Sequence, residues 1–124
     1  MESLLIAPTG ETPGVNLNAG EGKFIFSGKS FPENVNEFYL DIINYIQSYT
    51  QNPREKTHLE FSWLYYNTAT AKIIVKIIKD LKVIKTKGKS LEIKWFCKAS
   101  DDLMIEKGEE LKSLLDVDFF IMHV

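Results

Sequence analysis

Apolar and polar residues alternate along this chain in two rhythms, and the change between them falls at one place. Across Thr57–Tyr66, Leu59, Phe61, Trp63 and Tyr65 alternate with Glu60, Ser62, Leu64 and Tyr66. A period of two that starts half-polar and ends apolar on both faces predicts a central strand. After Asn67-Thr68 the rhythm changes. Lys72, Lys76, Lys79 and Lys82 recur every three or four residues, and Ile74, Ile77, Ile78, Leu81 and Ile84 do the same on another face. The isoleucines have high strand propensity, but the spacing predicts an amphipathic helix over Ala69–Lys85.

The rest of the chain reads in the same way. Short strands are predicted at residues 4–8, at Val15–Leu17 and at Lys23–Ser27, the last two joined through Asn18–Gly22 as a hairpin. Val35, Phe38, Tyr39, Ile42, Ile43, Ile46 and Tyr49 form one helical face, with Pro32 and Asn34 suited to its start and Asn52-Pro53 to its end. Thr86–Ser90 is a turn around Gly88. Leu91–Cys97 is a second buried strand, Ser100 or Asp101 caps a third helix that runs through Leu115, and Phe119–Val124 is a last strand. Gly108 lies within that helix. A mid-helix glycine costs about 1 kcal/mol relative to alanine, so close packing against the sheet is the expected reason for it. The order β-β-β-α-β-α-β-α-β predicts an α/β fold with three helices. Its sheet is mixed and mostly parallel, with an N-terminal antiparallel hairpin.

The 124 residues fit one domain spanning residues 1–124, and 44% apolar content argues against disorder. Cys97 is the single cysteine, so no internal disulfide forms, and a reducing compartment is expected. The start, MESLLIAPTGE, has no basic region before its short apolar run, and no segment approaches the ~20 residues of a membrane span. Both features lead to an expectation of a cytoplasmic protein with no membrane partner. The net charge of -2 hides an asymmetry: between residues 72 and 98, nine lysines stand against Asp80 and Glu92. A basic stripe can bind nucleic acid. Without an RNA-binding motif or an arginine patch, the expectation is a solvated helix face and no nucleic-acid partner.

Catalytic equipment is sparse. His58 and His123 have no motif partner, Cys97 alternates with core residues, and GxGxxG, GxxxxGK[ST] and GxSxG are all absent. Asp101, Asp102, Glu106, Glu109 and Glu110 form an acidic cluster in which Glu106 and Glu110 stand one turn apart. No histidine joins them, and acids early in a helix are ordinary dipole partners. Trp63, Tyr65, Tyr66, Trp95 and Phe96 read as core. The expectation is a non-enzyme with no catalytic residues, cofactor or metal; a small metal-dependent enzyme using the acidic cluster is the enzymatic alternative. Thr68 has two readings. Threonine is a good N-cap, and a hydroxyl on a first helical turn also suits phosphorylation, because phosphate there meets free N–H groups and the positive end of the helix dipole.

Several segments then point to a family. TGETPGV, SGKSFPENVNEFY, EFSWLYYNTATAK and KWFCKASDDLMIEKGEEL resemble the SiaC family of bacterial regulatory phosphoproteins, over a stretch from about Thr9 to Val124. The Tyr-Asn-Thr-x-x-Ala-Lys segment is the most specific part. The resemblance implies a STAS-like domain, modified on a threonine by a partner Ser/Thr kinase and restored by a PP2C-type phosphatase. It also implies that the unmodified form binds and activates a diguanylate cyclase in cyclic di-GMP signalling and biofilm formation. The phosphoacceptor then falls on Thr68, with Thr70 as a rival acceptor. Tyr66, Asn67, Ala69, Thr70 and Lys72 become the expected partner-binding residues. An anti-sigma-factor antagonist of STAS type is the alternative within the same physics.

Overall fold

A computed structural model describes residues 1–124. Six strands form one sheet in sequence order: β1 (Leu4–Ile6), β2 (Gly14–Asn18), β3 (Lys23–Ser30), β4 (Lys56–Tyr66), β5 (Ser90–Cys97) and β6 (Asp118–His123). The pairs β1–β2 and β2–β3 are antiparallel, and β3 to β6 are parallel. The parallel strands are joined by α1 (Val35–Tyr49), α2 (Thr68–Lys82) and α3 (Asp102–Leu114). This is the predicted α/β order with its N-terminal antiparallel hairpin. Boundaries moved only at ends. The expected strand at residues 4–8 stops at Ile6, β3 runs on to Ser30, and α2 tightens after Lys82 into a 3-10 turn over Val83–Lys87. Gly88 closes that turn at φ 75, a left-handed conformation that glycine adopts without strain.

The helices cover one face of the sheet. Thr57, Leu59, Phe61 and Trp63 of β4 and Leu91, Ile93, Trp95 and Cys97 of β5 are buried beneath them. The intervening His58, Glu60, Ser62, Glu92, Lys94 and Phe96 are only half-buried on the other face. Each helix contributes its apolar stripe: Tyr39, Ile42, Ile43 and Ile46 from α1; Ile73, Ile74, Ile77, Ile78 and Leu81 from α2; Met104 and Leu111 from α3. At roughly 1.5–3 kcal/mol for each large apolar side chain fully buried, this stripe outweighs the poor helix propensity of α2's isoleucines. Gly108 has the expected role: a Cβ there would lie 2.7 Å from Trp95 Cδ1. The same close approach brings Trp95 Nε1 to 3.0 Å from the Met104 carbonyl, to which it donates.

The sequence rhythm misleads at one point. The β3–β4 register slips between Gly28 and Lys29, so that Gly28 lies opposite Trp63 and Lys29 opposite Tyr65. Leu64 is the extra residue of this bulge, and Gly28 has φ 98. A bulge reverses the in-and-out alternation beyond it. Tyr65, expected on the inner face with Trp63, therefore points outward, and Tyr66 turns inward.

Candidate functional site

The strand end that the bulge re-aims leads directly into α2. Asn67 sits between them at φ -88 and ψ 176, and its N–H donates to the Ser30 carbonyl at 3.1 Å. Its side-chain oxygen accepts the Thr70 N–H at 2.9 Å, and its own carbonyl accepts the Ala71 N–H at 3.0 Å. Asn67 is thus the N-cap. Thr68, read from sequence as a possible cap, is instead the first helical residue, and its side chain is exposed. The amides of Thr68 and Ala69 have no partner within the protein. The first turn of α2 contains no acid, whereas that of α1 has Glu37 and that of α3 has Asp102.

Thr70 is of another kind. It is fully buried. Its hydroxyl donates to the Ser30 carbonyl at 3.1 Å and lies 2.8 Å from Ser30 Oγ, which in turn is 2.8 Å from the Tyr39 hydroxyl. Burial pushes the Tyr39 phenol up to about 12, with the Ser30 and Thr70 bonds pulling the other way. This closed network ties β3, α1 and α2 together under the turn and holds the start of α2 at the sheet end. Thr70 supports the exposed turn from beneath and, in this conformation, offers no hydroxyl to a kinase.

The expected partner-binding residues therefore divide. Lys72 is exposed, and Asn67 and Ala69 are half-buried at the surface. Tyr66, like Thr70, lies inside: burial, with the Glu110 carboxylate adding to it, pushes its phenol up to about 12, and Lys107 Nζ sits 4.1 Å from its ring centroid. The side chains of Tyr66 and Thr70 are thus buried beneath the surface that Asn67, Thr68, Ala69 and Lys72 present. Sequence reasoning missed three exposed apolar residues near the ends of β3 and β4. Leu64 is 67% exposed, and Phe31 and Tyr65 are exposed with their rings edge-to-face at 5.7 Å between centroids. Gly28 was the available signal, because a strand glycine often marks a bulge.

The other candidates have structural roles. Asp101 caps α3, its carboxylate accepting the Met104 N–H at 3.1 Å. No group of three or more His, Cys, Asp or Glu side chains converges as metal ligands would. Cys97 is buried, and burial with the nearby Asp101 carboxylate raises its pKa, away from a reactive thiolate. No helix is long and apolar enough to cross a membrane.

Comparison with known proteins bears on the family and the fold. The model of the SiaC family regulatory phosphoprotein matches residues 6–124. The chain belongs to the SiaC family. An uncharacterized protein of Pseudomonas aeruginosa (strain UCBPP-PA14) is 24% identical over 121 residues, covering 98% of this chain and 96% of its own. Among solved structures, apo-SiaC from Pseudomonas aeruginosa superposes with a TM-score of 0.90 at 24% identity, over 98% of this chain and 99% of that one. The SiaC-family fold is also matched in the crystal structure of the diguanylate cyclase SiaD with its activator SiaC, from the same organism. There the TM-score is 0.91 at 23% identity, over 98% of this chain and 99% of that one. Fold and family are thus those that the YNTATAK segment and its neighbours implied.

Proposed function

We propose that this protein is a single regulatory domain, a binding protein and not an enzyme, whose output is set by phosphorylation of Thr68. A partner Ser/Thr kinase adds the phosphate and a PP2C-type phosphatase removes it, in the cytoplasm. The unmodified form binds and activates a diguanylate cyclase, and the phosphorylated form releases it. One observation carries the reading: in a SiaC-family chain, the Thr68 hydroxyl stands exposed on a helix start with free amides and no acid of its own. The SiaD–SiaC complex among the structural neighbours favours a cyclase over an anti-sigma factor as the partner.

The physics of the switch follows from that placement. A phosphate brings a charge of about −1.5 to −2 and three acceptor oxygens. At a helix start that charge is favoured by roughly 0.3–1 kcal/mol, so the modified protein stays folded. In a closed interface the same charge has to be desolvated without a partner, at about 3–5 kcal/mol. Lys72, one turn on, screens it only from an exposed position, where an ion pair contributes about 0–1 kcal/mol. The interface opens while the fold is kept. Leu64, Tyr65 and Phe31 supply the apolar part of the contact, and Asn67, Ala69 and Lys72 the rest.

Tandem mass spectrometry after incubation with the cognate kinase tests the acceptor. The expected result is one phosphate on Thr68, absent from Thr68→Ala. Phosphate on Thr70, or full incorporation into Thr68→Ala, overturns the assignment.

A further inference from the structure

The two edges of the sheet are built differently. The β1 edge is three residues long and is followed by Pro8. The β6 edge is six residues long, pairs regularly with β5 alone, and contains no lysine, proline or bulge between Asp118 and His123. Exposed edges normally carry such features, because a row of unpaired amides is a template for another strand.

The hydrogen-bonding phase of β6 is fixed by the Val124 N–H, which donates to the Cys97 carbonyl at 3.0 Å. Backbone groups of alternate residues point to opposite sides of a strand. Phe120 and Met122 therefore turn their amides to β5, as Val124 does, and Phe119, Ile121 and His123 turn theirs outward. The N–H groups of these three have no partner elsewhere in the protein. On the sheet face that bears no helices, Phe120 is 46% exposed and Met122 38%.

We propose that β6 pairs antiparallel with β6 of a second copy of this chain, about a twofold axis at Ile121. A twofold axis relating two antiparallel strands of one sheet stands perpendicular to that sheet, so opposed residues share a face. With Ile121 on the axis, Phe119 lies across from His123 of the second copy, and His123 from its Phe119. All three outward-facing residues then become hydrogen-bonded pairs, with about six N–H···O bonds between the copies. A register centred on Phe120 pairs only Phe119 with Ile121 and leaves His123 outside. The chosen register also sets Phe120 against Met122 of the second copy, twice over, closing an apolar row on the open face. The two sheets become one, and the two Thr68 turns lie at opposite ends of it. The dimer is a bivalent carrier of the switch.

Amide exchange followed by NMR at rising protein concentration, with sedimentation for mass, tests this. The Phe119, Ile121 and His123 amides should slow as the mass doubles, while those of Phe120 and Met122 stay protected throughout. Met122→Lys, at an exposed side chain, should weaken pairing by about tenfold or more and leave the β5–β6 amides protected. Ile121→Cys should cross-link to itself on oxidation, with buried Cys97 unreactive. A mass of one copy at every concentration, with those three amides exchanging freely, overturns the proposal. So does protection that appears only when a cyclase effector is added, which makes the edge a docking strand for that partner.

Discussion

The helices α2 and α3 begin at the same end of the sheet, each following a buried strand, and each with a side-chain oxygen accepting the amide three residues on. Asn67 does this for Thr70 at 2.9 Å, and Asp101 for Met104 at 3.1 Å. The electrostatics differ. Asp101 and Asp102 place carboxylates of the chain itself at the positive end of α3, where they complement its dipole. In α2 the cap is neutral, the first turn has no acid, and the exposed group is a hydroxyl. The dipole of α3 is met by acids of the chain itself, whereas that of α2 is left without one. The Ser30–Thr70–Tyr39 network beneath α2 has no counterpart under α3, where Gly108 and Trp95 pack directly.

The largest expected effect comes from that network. The Tyr39 phenol is raised from 10.0 to about 12 in the folded protein. A raised pKa means that the native state holds its proton longer than the unfolded chain. The contribution is therefore complete below pH 10.0 and is lost as pH rises toward about 12, at about 1.4 kcal/mol per pH unit. Tyr66, also raised to about 12, loses its contribution over the same range, so denaturant melts should show both losses. Tyr39→Phe should reduce the slope, and Tyr39→Phe combined with Tyr66→Phe should flatten it. An unchanged slope in Tyr39→Phe would place the titration elsewhere.

Next in size is the contrast between the two threonines. Thr70→Val keeps the shape and leaves the Ser30 and Tyr39 groups short of a partner, a cost of about 1–3 kcal/mol. Thr68→Val removes an exposed hydroxyl that caps nothing and should stay within about 0.5 kcal/mol of the parent. Thermal melts of both check this, and equal losses would mean that Thr68 also supports the fold. The caps are smaller and more alike. Asn67→Ala and Asp101→Ala should each cost about 0.5–2 kcal/mol. Added salt should reduce only the Asp101 effect, since that cap alone carries charge.

Most of the fold was legible because, away from the β3–β4 bulge, each element keeps one period along its length. The lysine spacing in α2 outvoted its isoleucines, and Gly108 announced its contact with Trp95. The misreadings cluster at the site. A bulge adds one residue without changing the apolar composition, so nothing in Leu64-Tyr65-Tyr66 says which tyrosine turns inward. That choice is made across the sheet, at Gly28. The cap was displaced by one position for a related reason. Asn and Thr both suit an N-cap, and only the bond from Asn67 N–H to the Ser30 carbonyl decides between them. Thr68 and Thr70 are equivalent as sequence, and differ once folding buries one and exposes the other. The family resemblance pointed to Thr68, and the burial of Thr70 supplies a physical reason for that preference.

The central claim is that a phosphate on Thr68 opens an interface without unfolding the protein. Titration calorimetry of the unmodified and the Thr68-phosphorylated protein against a purified diguanylate cyclase effector tests it most directly, with melts run on both forms. The account predicts binding by the unmodified protein, loss of about 3–5 kcal/mol of affinity on phosphorylation, and a melting temperature at least as high for the phosphoprotein. Equal affinity of the two forms, or tighter binding by the phosphoprotein, would contradict it.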